Sequence, residues 1–321
     1  MEDFLVPVTE AMLEEARRVN DEVEAQLAAV PPAHTVDPTV TRAEREAGRG
    51  WAGPVVRSER ATTRAIAGPG GPIPLRVVLP DGPPVGVFLH LHGGGWVLGA
   101  ADQQDLLLVA LADVLGVAAV SVDYRLAPEH PFPAGPDDCE AAAVWLVERC
   151  AEEFGTRRLL IGGESAGAHL AALTLLHLRD RHGISGAFGG ANLVFGVYDV
   201  ALSPSARLWG ERNLVLSTPI MEWFSSLFTP SMSDEQRRAP AVSPLYARLH
   251  DMPPALFTVG TLDPLLDDSM FMAARWRAAG NRAELRVFPE SPHGFIRFPT
   301  AITGLALDAM LGFLRSALAV A

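Results

Sequence analysis

The chain has 321 residues, 49% of them apolar and 20% charged, a balance that suits one large α/β domain with a small accessory piece and excludes a disordered chain. Its net charge is −12, and its 26 cationic residues are all arginines scattered along the chain, so the basic face that nucleic acid requires is missing. The acidic start Met1-Glu2-Asp3-Phe4 does not read as a secretory leader, and no uncharged apolar run nears the roughly 18 residues of a membrane span.

Cys139 and Cys150 fall on one predicted helix, about 16 Å apart along its axis, too far to bridge. They read as buried thiols, and a reduced, cytoplasmic protein is expected.

In chain order, residues 4–29 carry apolar side chains at helical spacing until Pro31-Pro32 stop them. A short polar segment, Pro38 to Gly48, leads to Trp51. Strands are then expected at Leu75–Leu79, Val85–His92 and Val117–Asp123, the second apolar at nearly every position and so buried on both faces. A helix over Asp137–Phe154 has acids in its first turn and Gly155 at its end. Strand Arg158–Gly162, helix Ala166–Leu178 and strand Asn192–Val197 follow. The alternation breaks from Asp199 to about Pro240, a stretch rich in aromatics and turn formers, and resumes with Ala255–Thr261 (strand), Asp267–Ala279 (helix), Ala283–Phe288 (strand) and Thr303–Val320 (helix). Strand–helix alternation implies a mostly parallel central sheet flanked by helices. The interruption reads as an insertion. The expected division is 1–48 and 199–240 as cap, and 49–198 and 241–321 as core.

The chemistry centres on Gly163-Glu164-Ser165-Ala166-Gly167, with a predicted strand before it and a helix after it. That context is a nucleophile elbow, in which a tight turn presents the serine and glycines on both sides let strand and helix backbones meet. A serine hydroxyl needs a base to take its proton. Elbow enzymes order their residues Ser, acid, His. Only His293 follows Asp263 among nine histidines, and it sits in a loop after a strand. Asp263 is the preferred acid, with Asp199 the alternative, while Asp267 and Asp268 read as the start of the next helix.

His92-Gly93-Gly94-Gly95-Trp96 closes the strand Val85–Leu91. Consecutive glycines allow backbone N–H groups to approach an oxygen on which negative charge develops, and the N–H of Ala166, next to the nucleophile, would add another donor.

Taken together, HGGGW, the run Asp123-Tyr124-Arg125-Leu126-Ala127-Pro128-Glu129-His130, GESAG, Asp263-Pro264-Leu265 and His293-Gly294-Phe295 resemble the bacterial hormone-sensitive-lipase-like esterases over about residues 75–300. The resemblance implies the α/β-hydrolase fold with a helical cap, built from the N-terminus and an insertion after the sixth strand. It also implies carboxylesterase activity on short acyl chains, with no cofactor. Independently, no His/Cys/Asp cluster in the sequence has ligand spacing, so no metal is expected. It puts nucleophile, acid and base on Ser165, Asp263 and His293, and the oxyanion donors on two of Gly93, Gly94 and Gly95 plus Ala166. Trp96, Leu214, Trp223 and Phe224 are the expected substrate-facing side chains. The expected partner is a small-molecule ester, without nucleic acid or membrane, and a homodimer is left open.

Three departures stand out, because the family elbow usually reads GDSAGGN whereas Glu164, Ala168 and His169 stand here. His169 is one helical turn beyond Ser165, within reach of the site, and its preferred reading is a packing residue behind it. The rival readings are an amide or formamide hydrolase on the same fold, such as the kynurenine formamidases, and a small-molecule receptor that has lost the chemistry.

Overall fold

In the computed structural model, which describes residues 4–49 and 53–320, the apolar runs form an eight-stranded sheet. Its strands are β1 (Thr62–Gly68), β2 (Gly71–Val78), β3 (Gly86–Leu91), β4 (Val117–Val122), β5 (Leu159–Glu164), β6 (Phe188–Val194), β7 (Ala255–Leu262) and β8 (Ala283–Pro292). They lie in the order β1-β2-β4-β3-β5-β6-β7-β8. β2 runs antiparallel to both β1 and β4, and every other pairing is parallel. β3, β4 and β5 are buried at every position, which is why their sequences show no polar alternation.

The helices are α1 (Glu10–Ala28), α2 (Pro38–Glu46), α3 (Asp105–Leu115), α4 (Ala134–Phe154), α5 (Ala166–His182), α6 (Pro204–Leu208), α7 (Thr218–Phe228), α8 (Asp234–Arg237), α9 (Leu266–Ala278) and α10 (Ala301–Val320). α3 and α10 cover one face of the sheet, and α4 and α5 the other. The alternation along β3 follows: Phe88 faces α3 and α10, while Val87 and Leu89 face the opposite layer. α10 is long and apolar enough by composition to cross a membrane, yet Ile302, Ala306, Met310 and Leu314 are buried at helical spacing against the sheet. Both cysteines are buried and free on α4, which ends at Gly155 with φ 72°.

Several elements differ from the sequence expectation. β1 carries one buried apolar residue, Ile66, so its exposed edge leaves no hydrophobic pattern to read. α3 is apolar on nearly all sides and shows no stripe. The N-terminal helix starts at Glu10 rather than near residue 4, because Pro7 holds Val6 extended and Thr9 caps the helix through the N–H of Met12. Phe4 and Val6 instead pair with Val287 at the β8 edge, through N–H···O bonds of 2.9 Å each way. β8 runs on to Pro292, beyond the expected end at Phe288. Residues 199–240, between β6 and β7, hold α6, α7 and α8 and no strand. Trp51 lies outside the described residues.

Candidate active site

Ser165, Asp263 and His293 are each the first residue after the carboxyl end of a parallel strand: β5, β7 and β8 respectively. Open α/β sheets gather their ligands at that edge. Ser165 has φ 57° and ψ −119°, a region that costs a non-glycine residue about 1–3 kcal/mol and is kept only where the surroundings enforce it. The enforcement is visible in the flanking glycines. A Cβ on Gly163 would stand 2.2 Å from the carbonyl oxygen of Leu91, and one on Gly167 1.8 Å from the same atom. The elbow is therefore pressed against the end of β3, and no larger residue fits at either position.

His293 lies between the other two side chains. Its Nδ1 is 2.9 Å from Asp263 Oδ2, and its Nε2 is 3.0 Å from Ser165 Oγ. An ionised carboxylate only accepts, so Nδ1 carries the ring proton and Nε2 faces the serine hydroxyl as an acceptor. Asp263 is buried, and its second oxygen accepts the N–H of Leu265 at 2.8 Å, which fixes the carboxylate plane. Phe195, at the end of β6, meets the imidazole edge-on with centroids 4.7 Å apart. Asp199 is turned elsewhere: its carboxylate accepts from the Ala201 N–H, the Tyr246 hydroxyl and Arg238.

The glycine loop lies beside the serine. An added Cβ on Gly93 would come within 2.8 Å of the Glu164 carbonyl oxygen, and the loop turns through φ 124° at Gly94 and 62° at Gly95. Among the described residues, no backbone acceptor meets the N–H groups of Gly93, Gly94 and Gly95. Ala166 opens α5, where the helix itself supplies no acceptor for its N–H. His92 is not part of the reacting set. It stacks on Tyr124 at 4.2 Å, donates from Nδ1 to the Gly93 carbonyl, and burial pushes its pKa down to about 4.

The expected substrate-facing side chains are distributed differently. Trp96 is 3% exposed, and its indole N–H is bonded to His169. Phe224 of α7 lies on Gly95, where an added Cβ would stand 2.4 Å from its ring, and Trp223 tilts against Phe224 at 4.9 Å. Leu214 is fully buried between α6 and α7, bridged to Leu216. Phe228, one turn beyond Phe224, stacks on Trp96 at 4.4 Å. Neither Phe195 nor Phe228 was readable as a site neighbour, since nothing local ties them to the glycine loop or to His293.

A buried pair beneath the elbow also escaped sequence reading. Glu164 places both carboxylate oxygens 3.1–3.2 Å from His90 Nε2, and His90 Nδ1 lies 2.9 Å from Ser121 Oγ. Burial by itself would raise the Glu164 pKa, but the charge and hydrogen bond of His90, with Arg297 further off, bring it below the ordinary range. The signal was a histidine inside an otherwise apolar strand, which must find a buried partner.

Residues 88–297 match the family of the alpha/beta hydrolase fold. The chain belongs to that family. Within it, the relatives are esterases of the hormone-sensitive-lipase-like kind. The carboxylic ester hydrolase LipN of Mycobacterium tuberculosis is 37% identical over 244 residues, which span 73% of this chain and 64% of LipN. The carboxylesterase NlhH of the same organism is 36% identical over 248 residues, covering 73% of this chain and 74% of NlhH. Among solved structures, the hyperthermophilic esterase of the archaeon Pyrobaculum calidifontis superposes with a TM-score of 0.83 at 28% identity, covering 98% of this chain and all of that one.

Proposed function

We propose that this family member is a carboxylesterase that cleaves short-acyl esters through an acyl-enzyme on Ser165. The observation that carries the reading is the hydrogen-bonded line Ser165 Oγ–His293 Nε2 and His293 Nδ1–Asp263 Oδ2 at the carboxyl edge of the sheet. In the proposed reaction His293 takes the Ser165 proton as Oγ attacks the ester carbonyl, and Asp263 holds the imidazole in the required tautomer and stabilises the imidazolium. Charge on the carbonyl oxygen is met by the N–H of Ala166 and by two of those of Gly93, Gly94 and Gly95. The imidazolium then gives its proton to the departing alkoxide, leaving the acyl group on Ser165. Water, giving a proton to His293, attacks that ester, and the imidazolium returns the proton to Ser165 Oγ as the carboxylic acid leaves.

The cap in this reading consists of residues 1–48 and 199–240. α7 supports it, since Phe224 and Phe228 lie directly on Gly95 and Trp96 and leave little room for a long acyl chain on that side. α2 is tied down as well: Arg42 donates to the carbonyls of Val97 and Ala127 and pairs with Glu129. The esterase names of LipN and NlhH agree with the reaction class.

Ser165→Ala tests the reading. The variant should fold and melt like the parent while hydrolysing a chromogenic aryl ester at under about a thousandth of its rate. Appreciable turnover by a preparation free of contaminating esterase would place the nucleophile elsewhere.

A further inference from the structure

We propose that His169 is a positioning residue for ester cleavage: through Trp96 it holds the glycine loop at the angle that aims its N–H groups at the carbonyl oxygen. This rests on the assignment of Ser165 and the Gly93–Gly95 loop made above.

Trp96 immediately follows the three glycines and has φ 61°, a conformation that a bulky aromatic residue rarely adopts and that must be held from outside. Three contacts hold it. Its carbonyl accepts the Ala127 N–H at 2.9 Å, its ring stacks on Phe228 at an interplanar angle of 9°, and its indole N–H donates to His169 Nδ1 at 3.0 Å.

The third contact fixes the state of the histidine. An indole nitrogen only donates, so Nδ1 of His169 accepts and the ring proton sits on Nε2. Nε2 then donates to the carbonyl of Val242 at 2.7 Å. Both ring nitrogens are thus used, in a ring that is fully buried. Burial also pushes the His169 pKa to about 4, so the imidazole is neutral at pH 7 and has no spare lone pair to act as a base.

His169 belongs to the first turns of α5, where its own N–H bonds to the carbonyl of Ser165. One imidazole therefore spans three parts of the molecule: the nucleophile helix, the loop of N–H donors, and the Val242 segment through which the chain returns from the 199–240 insertion. Without the indole bond, Trp96 can relax toward negative φ, and Gly94 and Gly95 turn with it. The N–H groups then no longer point where the oxyanion forms. A side chain that only filled space would have no such directional consequence.

The test compares an ester with its thionoester, whose sulfur is a poor acceptor for the same N–H groups, in the wild type, His169→Leu, His169→Gln and Trp96→Phe, with melting temperatures recorded for each. His169→Leu should lose about tenfold to a hundredfold in kcat on the oxygen ester, less than the roughly hundredfold to thousandfold of deleting a donor outright, with KM changed by less than about threefold. The thionoester rate should fall by less than about threefold. Gln offers one acceptor and one donor and should recover most of the loss. Trp96→Phe, which removes the donor and leaves His169 in place, should show the same ester-selective loss, and it carries the comparison if the Leu variant does not fold. The proposal is overturned if ester and thionoester fall in parallel, if the folded Leu or Phe variant keeps wild-type kcat on the ester, or if Gln is as damaging as Leu. Activity persisting in Ser165→Ala would instead overturn the nucleophile assignment beneath it.

Discussion

Replacing Asp263 by Asn changes one atom, and the structure says which way the new amide must face. Oδ1 of Asp263 accepts the Leu265 N–H at 2.8 Å, a buried donor that has to keep an acceptor. The amide oxygen of Asn therefore takes that position and turns its NH2 toward His293. A donor now faces Nδ1, so Nδ1 must accept, and the ring proton moves to Nε2, 3.0 Å from Ser165 Oγ. In that tautomer the histidine cannot take the serine proton. A mis-set tautomer of this kind costs about 10⁴ in kcat, or about 5.5 kcal/mol of barrier. The assay is steady-state hydrolysis of a soluble aryl ester at saturating substrate, with the melting temperature as a control for folding. Asp199→Asn is the comparator. It faces Ala201, Tyr246 and Arg238, and should cost less than about tenfold. A loss under tenfold for Asp263→Asn in a folded protein, or a larger loss for Asp199→Asn, would refute the reasoning.

Gly167→Ala should destabilise by about 4 kcal/mol or more, because its Cβ would meet the Leu91 carbonyl oxygen, a backbone atom, at 1.8 Å; an unchanged melting temperature would contradict the packing described for the elbow. Asp268 is pushed up to about 7 by burial, with Asp199 adding to the shift, so the folded protein retains a proton that an unfolded aspartate releases near 3.8. Stability held by that proton is lost as pH rises from about 4 through 7, and Asp268→Asn should flatten this part of the melting-temperature profile; a profile identical to wild type would remove Asp268 as the cause. His92 and His169 act in the opposite direction: burial lowers both to about 4, so stability falls as pH drops from about 6.5 toward 4, and substituting either by Gln should shrink that fall. Across a series of aryl esters the rate should peak at about C2 to C8, and Phe224→Ala, which uncovers Gly95, should move the optimum to longer chains. A rate climbing steadily to C16, with a jump above the substrate's solubility limit, would mark an interfacial enzyme instead.

By itself the sequence determined whatever depends on near neighbours in the chain. Apolar runs at strand length, acids opening α4 and a glycine closing it marked most of the core elements, and glycines flanking Ser165 and following His92 marked the two turns where backbone must approach backbone. Residue order made His293 the expected base and Asp263 or Asp199 the expected acid for Ser165. β1 and α3 were invisible because one buries too little and the other is apolar all round, so neither has a period to detect. The sequence preferred Asp263 to Asp199, and the sheet shows what separates their positions. β7 lies next to β8, so a residue leaving the end of β7 stands beside His293, whereas Asp199 is already five residues past β6 and turned toward Tyr246 and Arg238. The pairing of His90 with Glu164, the stacking of Phe228 on Trp96 and the reach of His169 to Val242 join residues more than 70 positions apart. Burial of polar and aromatic groups forces each of them to find a partner, but which partner is decided only when the chain has folded and the strand order has set what lies within contact distance.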